Sequence, residues 1–395
     1  MFYSLGAYHL ARLSSAEMAL KQLGWRLVVI EVAEVDPERP WGKSASDLEI
    51  YTLCKADESP GELVKKEVRN RLVDRLGELK PAACFIPGWG HFTAHEMLTW
   101  SRRQGVPAIV MSESKFDDKP RSWWREWSKR LMYVRHFDAA LVGGVKHASY
   151  LERLGMNRDR IFFGYDVVDN EFFSSAADVA RKNEEVTRAA HKRIPAEPYF
   201  LTANRFIPRK NLLRLLHSYS QYRGLVEMPW ALVLAGAGEQ EEEIVAAVER
   251  LGLEDHVYLP GFVPSIQMPA YYAYAGAFVH PALTEQWGLV VNEACACSLP
   301  VLISKSVGAA ELVSGGENGY VFDPLSDDEI TAAMTQVTDL SEPERLQMGK
   351  NSWRKVQQFS PQAFGQGLVG ILAMLAAEGK LTIKSEGDSS QQTVV

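Results

Sequence analysis

Short apolar runs alternate with stretches of helical periodicity along most of this chain, and that alternation restricts the fold more than any other feature. Leu27–Glu31, Ala82–Pro87, Pro107–Met111, Ala139–Val142 and Ile161–Phe163 read as buried strands. The helices between them are Leu10–Leu23, Glu62–Leu76, Phe92–Arg103, Arg121–Arg135 and Lys146–Leu154. The pattern weakens from Asn170 to Pro198, where Ala176–Ala190 reads as a surface helix or linker, and then restarts. Strands are expected at Tyr199–Thr202, Ala231–Ala235, His256–Leu259, Ala277–His280, Val301–Ser304 and Gly319–Phe322. Helices are expected at Asn211–Tyr222, Glu239–Leu251, Leu289–Cys297, Asp327–Val337 and Pro343–Gln357. Strands of this kind, each followed by a helix, build parallel sheets covered on both faces. A length of 395 residues is too much for one core, so the fold class is α/β with two domains. The expected boundaries are 1–170 for the first domain, 171–198 for a linker and 199–360 for the second domain. A closing helix at Phe364–Ala377, within 361–378, is free to pack on either domain, and 379–395 is polar enough to be a flexible tail.

Composition removes several functional classes. The formal net charge is -7, which does not suit a nucleic-acid-binding surface. Cys54, Cys84, Cys295 and Cys297 have no zinc-like spacing, and reduced cysteines in a cytoplasmic protein are the simpler reading. No secretory signal is expected, nor an apolar run able to cross a bilayer; peripheral contact with the inner face of a membrane stays open.

The residues that suggest chemistry follow the strands. Glu285 and Glu293 lie in PALTEQWGLVVNE, after the strand Ala277–His280, with Glu285 in the loop and Glu293 on the next helix. Loops at the carboxyl ends of strands are where open α/β sheets bind ligands. Two carboxylates there can accept hydrogen bonds from a polyhydroxylated group, although Glu285 could equally complement a helix dipole. Arg205 and Lys210, in TANRFIPRKN, follow the strand Tyr199–Thr202 and precede a helix, a combination that suits a diphosphate as well as a solvated basic turn. Gly236, in AGAGE, allows a tight turn or close approach to a ligand.

The first half offers Gly6 before a helix, His9, and the pair His91 and His95 in PGWGHFTAHE. The HE of His95 and Glu96 fails as a zinc motif because residue 99 is Thr99, and no metal site is assigned. Glu113 and Lys115 follow another strand, with Asp117 and Asp118 close behind. The run RSWWREWSKR then sets Trp123, Trp124 and Trp127 among arginines and lysines. Such a helix can stack on sugars, lie on an anionic membrane, or pack in a core with its cations reaching solvent.

From Tyr199 to Phe322 the chain resembles the retaining GT4 family of glycosyltransferases. The resemblance is carried by TANRFIPRKN, LAGAGE, LPGFVP, and HPALTEQWGLVVNEACACSLPVLISKSVGAAELV followed by GGENGYVF, which follows the family's EX7E region. It implies the GT-B architecture, two Rossmann-like domains facing each other across a cleft, and a retaining glycosyltransferase moving a hexosyl group from a nucleotide sugar, UDP-linked by preference, to an acceptor hydroxyl. The acceptor would be a glycan, a lipid-linked sugar or a small molecule, and no cofactor beyond the donor is implied. Under the resemblance Arg205 and Lys210 hold the diphosphate, Glu293 the ribose and Glu285 the donor sugar. Backbone groups of Gln286, Trp287, Gly288 and Leu289 assist, with Gly236 and Gly6 near the donor. His95 is the implied active-site histidine, with His91 as its rival. His9, His91, Glu113, Lys115, Trp123 and Trp124 are acceptor-side candidates. Two departures stand out: only MFYS precedes Leu5-Gly6, and Gln286-Trp287-Gly288 replaces the family's Pro-Phe-Gly. A non-catalytic nucleotide-sugar-binding protein and a nucleotide-sugar epimerase are the competing readings.

Overall fold

A computed structural model describes residues 1–34, 47–55, 65–191, 193–381 and 392–395. Two compact units emerge, one made of Met1–Asp169 with Phe359–Val395, the other of Asn170–Gln358.

The first unit runs α1 (Ala7–Lys21), β1 (Trp25–Leu27), β2 (Val29–Ala33), β3 (Ile50–Cys54), α2 (Lys65–Leu79), β4 (Cys84–Pro87), α3 (Phe92–Gln104), β5 (Ala108–Ser112), α4 (Trp123–Met132), β6 (Ala139–Val142), α5 (Val145–Arg153) and β7 (Ile161–Phe163). Strands β4-β5-β6-β7 pair in that order, all parallel, and β2 pairs with β3. Alternate side chains feed two cores: Ile30, Val32, Ile86, Val110 and Val142 enter one, Val29, Phe85, Ile109, Met111 and Leu141 the other.

The second unit runs α6 (Asn170–Lys182), α7 (Glu184–Ala190), β8 (Tyr199–Ala203), α8 (Leu212–Leu225), β9 (Ala231–Ala235), α9 (Glu241–Arg250), β10 (Val257–Gly261), α10 (Met268–Tyr274), β11 (Ala277–His280), α11 (Leu289–Ala296), β12 (Val301–Ser304), β13 (Gly319–Phe322), α12 (Asp327–Thr338) and α13 (Glu342–Val356). Its parallel sheet has the order β10-β9-β8-β11-β12-β13. From β8 the chain winds outward to β10, then returns to lay β11 on the other side of β8 and winds the opposite way. The loops leaving β8 and β11 therefore flank the point where strand order reverses, the place where such sheets open a crevice.

The chain ends with α14 (Pro361–Ala377) and β14 (Gln392–Val394), both in the first unit. Helix α14 lies on α1 and sends Phe364, Leu368, Ile371, Leu372 and Leu375 into the second of that unit's cores. Residues 393–395 are buried in a sheet position rather than frayed, which corrects the expectation of a flexible tail at that end. The Val28 amide donates to Val394 O at 2.9 Å, the Ala82 amide to Thr393 O at 2.7 Å, and the Val395 amide to Ala83 O at 3.1 Å. Phe2 extends the same position, receiving the Val32 amide at 3.0 Å and donating to Ile30 O at 2.8 Å. The polar composition before these residues hid two valines whose burial and backbone pairing outweigh the entropy of ordering them.

Other differences have local causes. The strand expected at Leu27–Glu31 is two strands, because β1 pairs with β14 while the Phe2 segment and β3 flank β2. Strand β3 was not foreseen: Ile50, Tyr51 and Thr52 are only half-buried, so the apolar run is short. Helix α10, also unforeseen, carries Pro269 and three tyrosines that weaken its helical signature. The expected linker contains α6, which packs on α10 and α11. The expected helix at Glu62–Leu76 is described from Lys65; residues 62–64 lie outside the described residues, as do 382–391 of the tail. By length and apolarity the stretch Glu342–Ala377 passes as a membrane span, contrary to the expectation that none would. It is two helices, however, with residues 357–360 between them, and the second has one face in a core.

Candidate functional site

Glu285 is the centre of a charged cluster at the reversal point of the second sheet. Helix-starting residues after β8 form a turn, Pro208–Lys210, capped by Asn211 in a left-handed conformation at φ 60°. The Asn211 side-chain amide donates to Pro281 O at 3.1 Å and Pro324 O at 2.8 Å, and the Leu283 amide donates to Arg209 O at 2.9 Å. These bonds tie the loop leaving β8 to the loop leaving β11. Lys210 is thereby brought into direct contact with Glu285 Oε2, and Arg209 Nη1 reaches the same oxygen at 3.1 Å. His280 Nε2 lies 4.0 Å from it.

Burial alone would raise the Glu285 pKa, but the charge of Lys210, joined by that of Arg209, prevails and holds it down at about 2. Burial pulls the Lys210 pKa down against the opposing attraction of Glu285. The Glu285 carboxylate is therefore ionised and already neutralised by protein cations. His280 is fully buried, and neither ring nitrogen has a hydrogen-bond partner among the described residues. Burial, aided by Lys210, lowers its pKa to about 3, so the imidazole is neutral.

Glu293 lies on α11 with 1% exposure and accepts a hydrogen bond from Tyr272 Oη at 2.7 Å. Between the two acids the loop is fixed by the Gly308 amide donating to Glu285 O at 3.2 Å and the Ala309 amide to Trp287 O at 3.0 Å. The Trp287 side chain is buried, its indole N–H donating to Asn292 Oδ1 at 2.9 Å, while Gln286 is exposed. Gly288 has φ +102° and precedes α11, so the chain turns into the helix through a conformation L side chains avoid; Leu289 opens that helix half-buried. A helix start carries amides without intrahelical partners and suits an anionic group.

The cations foreseen as a pair divide. Lys210 is buried on Glu285, whereas Arg205 is exposed and has no ion-pair partner among the described residues. Gly236 has φ +150°, and a Cβ there would stand 1.8 Å from Asn204 O. Its need for glycine comes from packing against the loop that carries Arg205. Sequence reasoning did not single out Arg209, His280 and Tyr272. Arg209 was legible beside Lys210; the other two depend on tertiary packing.

The first unit holds the remaining candidates. The Gly6 amide donates to His9 Nδ1 at 3.0 Å at the start of α1. His91 caps α3, with its Nδ1 2.7 Å from Thr93 Oγ1, and Tyr3 meets its ring edge-on at 5.2 Å. Burial, with Lys65 and His95 nearby, lowers the His91 pKa. His95 stacks on Tyr133, and its Nε2 donates to Trp89 O at 2.6 Å. Glu113 is half-buried. Lys115 is buried against Asp117 at 2.9 Å and Asp118 at 3.6 Å, so its charge is engaged within the protein. Trp123 and Trp124 are exposed on α4. Among the described residues no group of three or more His, Cys, Asp or Glu side chains is placed to hold a metal.

Residues 183–355 match the family model for glycosyl transferases group 1. The chain resembles O-antigen chain mannosyltransferase B of Escherichia coli, with 32% identity over 159 residues, 40% of this chain and 39% of that one. It also resembles the GDP-mannose-dependent alpha-(1-6)-phosphatidylinositol monomannoside mannosyltransferase of Mycolicibacterium smegmatis, with 32% identity over 155 residues, 38% of this chain and 40% of that one. The crystal structure of Anabaena HepE in complex with UDP superposes with a TM-score of 0.70 at 17% identity, covering 95% of this chain and 99% of that chain. Residues 183–355 are thus similar to the group 1 glycosyl transferases, and the chain has the GT-B fold. The sequence matches thus span about two fifths of the length of each mannosyltransferase, while the structural likeness extends over both Rossmann-like units. The family match covers Arg205, Lys210, Glu285 and Glu293 together.

Proposed function

We propose that the chain is a retaining glycosyltransferase that moves a hexosyl group from a nucleotide sugar to an acceptor hydroxyl. One observation supports this above the others: an ionised Glu285 held by two cations, at the strand-order reversal, within the segment matched to the group 1 glycosyl transferases. In this reading the donor diphosphate enters beside Arg205 and competes with Glu285 for Lys210. Glu285 then accepts hydrogen bonds from hydroxyls of the sugar, and Glu293, oriented by Tyr272, accepts those of the ribose. The amides at the start of α11 add donors for the anionic group.

In the chemical step the acceptor oxygen bonds to the anomeric carbon while the bond from that carbon to the phosphate oxygen breaks. The bonding pair leaves on the phosphate, and the acceptor proton departs with or to that oxygen. The developing charge is what Arg205 and Lys210 stabilise. We assign His95 and His91 in the first unit to the same reaction, with His9 and Glu113 toward the acceptor. With Nε2 committed to Trp89, His95 would act through Nδ1. UDP is our preferred nucleotide because the HepE likeness is to a UDP complex, and GDP is the competitor suggested by the mannosyltransferases. Free, buried cysteines at all four positions agree with a cytoplasmic setting.

The test is a screen of UDP- and GDP-sugars for binding and hydrolysis, followed by glycan, lipid-linked and small-molecule acceptors with the best donor. Acceptor-dependent product with the donor's anomeric configuration by NMR is expected. Binding without transfer would mean a sugar-nucleotide-binding protein, and interconversion of free donors an epimerase; either result rejects the proposal.

A further inference from the structure

Helix α4 is built the wrong way round for a core helix. None of its residues is buried, yet Trp123, Trp124 and Trp127 are 82%, 52% and 61% exposed. Trp127 lies four residues after Trp123 and three after Trp124, so the three rings share one side of the helix. Met132 at the end of the helix and Phe116 just before it are exposed as well. Exposed single apolar residues are ordinary, but three neighbouring indoles and two flanking apolar side chains form a patch that water solvates poorly.

The other side of α4 explains how the helix is held without burying those rings. Tyr150 on α5 donates its hydroxyl to Glu126 at 2.5 Å and receives Lys129 Nζ at 2.9 Å and Arg121 Nη1 at 2.8 Å. Lys129 also reaches Glu126 at 2.7 Å. This polar clasp neutralises Glu126 and fixes the helix by its charged side. Lys119, Arg125, Arg130 and Arg135 remain exposed, and none forms an ion pair with a described residue. A chain of net charge -7 thus carries, beside three exposed indoles, cations with no ion-pair partner among the described residues.

We propose that α4 docks this chain on an anionic lipid bilayer. Indoles settle at the boundary between headgroups and acyl chains, where the ring is shielded and its N–H stays wet. Arginine and lysine beside them meet lipid phosphates. A protein partner would ask for a shaped apolar groove, whereas a bilayer asks only for this arrangement of rings and charges. The inference stands on the surface of the first unit and does not depend on the donor chemistry of the second.

The experiment is co-sedimentation of the full chain with vesicles of phosphatidylcholine alone or mixed with phosphatidylglycerol. The parent protein should pellet with the mixed vesicles and remain in solution with phosphatidylcholine alone. Binding should fall steeply at about 0.5 M salt, where the screening length is well below 10 Å. Arg125→Gln with Arg130→Gln should weaken binding about fivefold for each charge removed. Trp124→Ser with Trp127→Ser should abolish it, with an unchanged urea midpoint showing that the exposed substitutions leave folding intact. Absence of binding to the mixed vesicles, or equal binding by the tryptophan variant, overturns the proposal. A concentration-dependent dimer seen by ultracentrifugation and lost in that variant, without vesicle binding, overturns it in favour of self-association.

Discussion

Replacing Lys210 by methionine separates the electrostatics of the site from its chemistry. The substitution keeps most of the side-chain length and leaves Glu285 buried with only Arg209 at 3.1 Å and the neutral His280 beside it. In the folded protein Glu285 titrates near 2, against 4.5 for the free group. That difference corresponds to about 3 kcal/mol of stability at neutral pH. Because the folded pKa is the depressed one, this stabilisation is complete above about 4.5 and is lost as pH falls toward 2, the unfolded chain taking the proton first. Between pH 6 and 3.5 the loss amounts to about 1.4 kcal/mol. Lys210 also depresses His280, so its removal flattens the acid dependence of both groups in the same direction. Urea unfolding of Lys210→Met at pH 6 should therefore show a loss of about 3 kcal/mol and a shallower decline to pH 3.5 than the parent. Pairing it with Glu285→Gln, which removes the stranded charge, should recover most of that loss. A single variant within about 0.5 kcal/mol of the parent, with the same acid slope, would refute the claim that this pair is electrostatically coupled.

Arg205→Ala should behave oppositely: no change in the unfolding midpoint, because the side chain is exposed and unpaired with described residues, but a fall in kcat/KM for sugar transfer of about 100-fold. Gly236→Ala should cost about 2 kcal/mol or more, measured by urea unfolding, since the added carbon meets Asn204 O in a backbone conformation foreign to alanine. Removal of residues 393–395 should lower the stability of the first unit by about 3–6 kcal/mol, from two valines that are almost wholly buried and the amides of Val28 and Ala82 left without partners, and calorimetry should show it.

The two α/β units were legible because each central strand is a near-continuous apolar run with a periodic helix behind it, as at Ala139–Val142 and Ala231–Ala235. The position of Glu285 after β11 was legible for the same reason. Its state was not. That Lys210 rather than solvent neutralises it depends on Asn211 and Arg209 stitching two loops separated by 70 residues or more in sequence. Glu293 was foreseen as an acid among apolar neighbours, but its partner Tyr272 sits on a helix that a proline and clustered tyrosines concealed. The closing strand was least legible of all: Thr393, Val394 and Val395 gain their meaning only from the gap between β1 and β4 that they occupy. The Trp-rich helix shows the converse, where a sequence that could have been a core element is exposed because its charged side is the one that is anchored.

A crystal structure of the chain with a non-hydrolysable nucleotide sugar addresses the donor assignment most directly. Diphosphate oxygens should lie within hydrogen-bonding distance of Arg205 and Lys210, with Glu285 on the hexose and Glu293 on the ribose. Nucleotide density elsewhere, with the Lys210 contact to Glu285 intact, would contradict it.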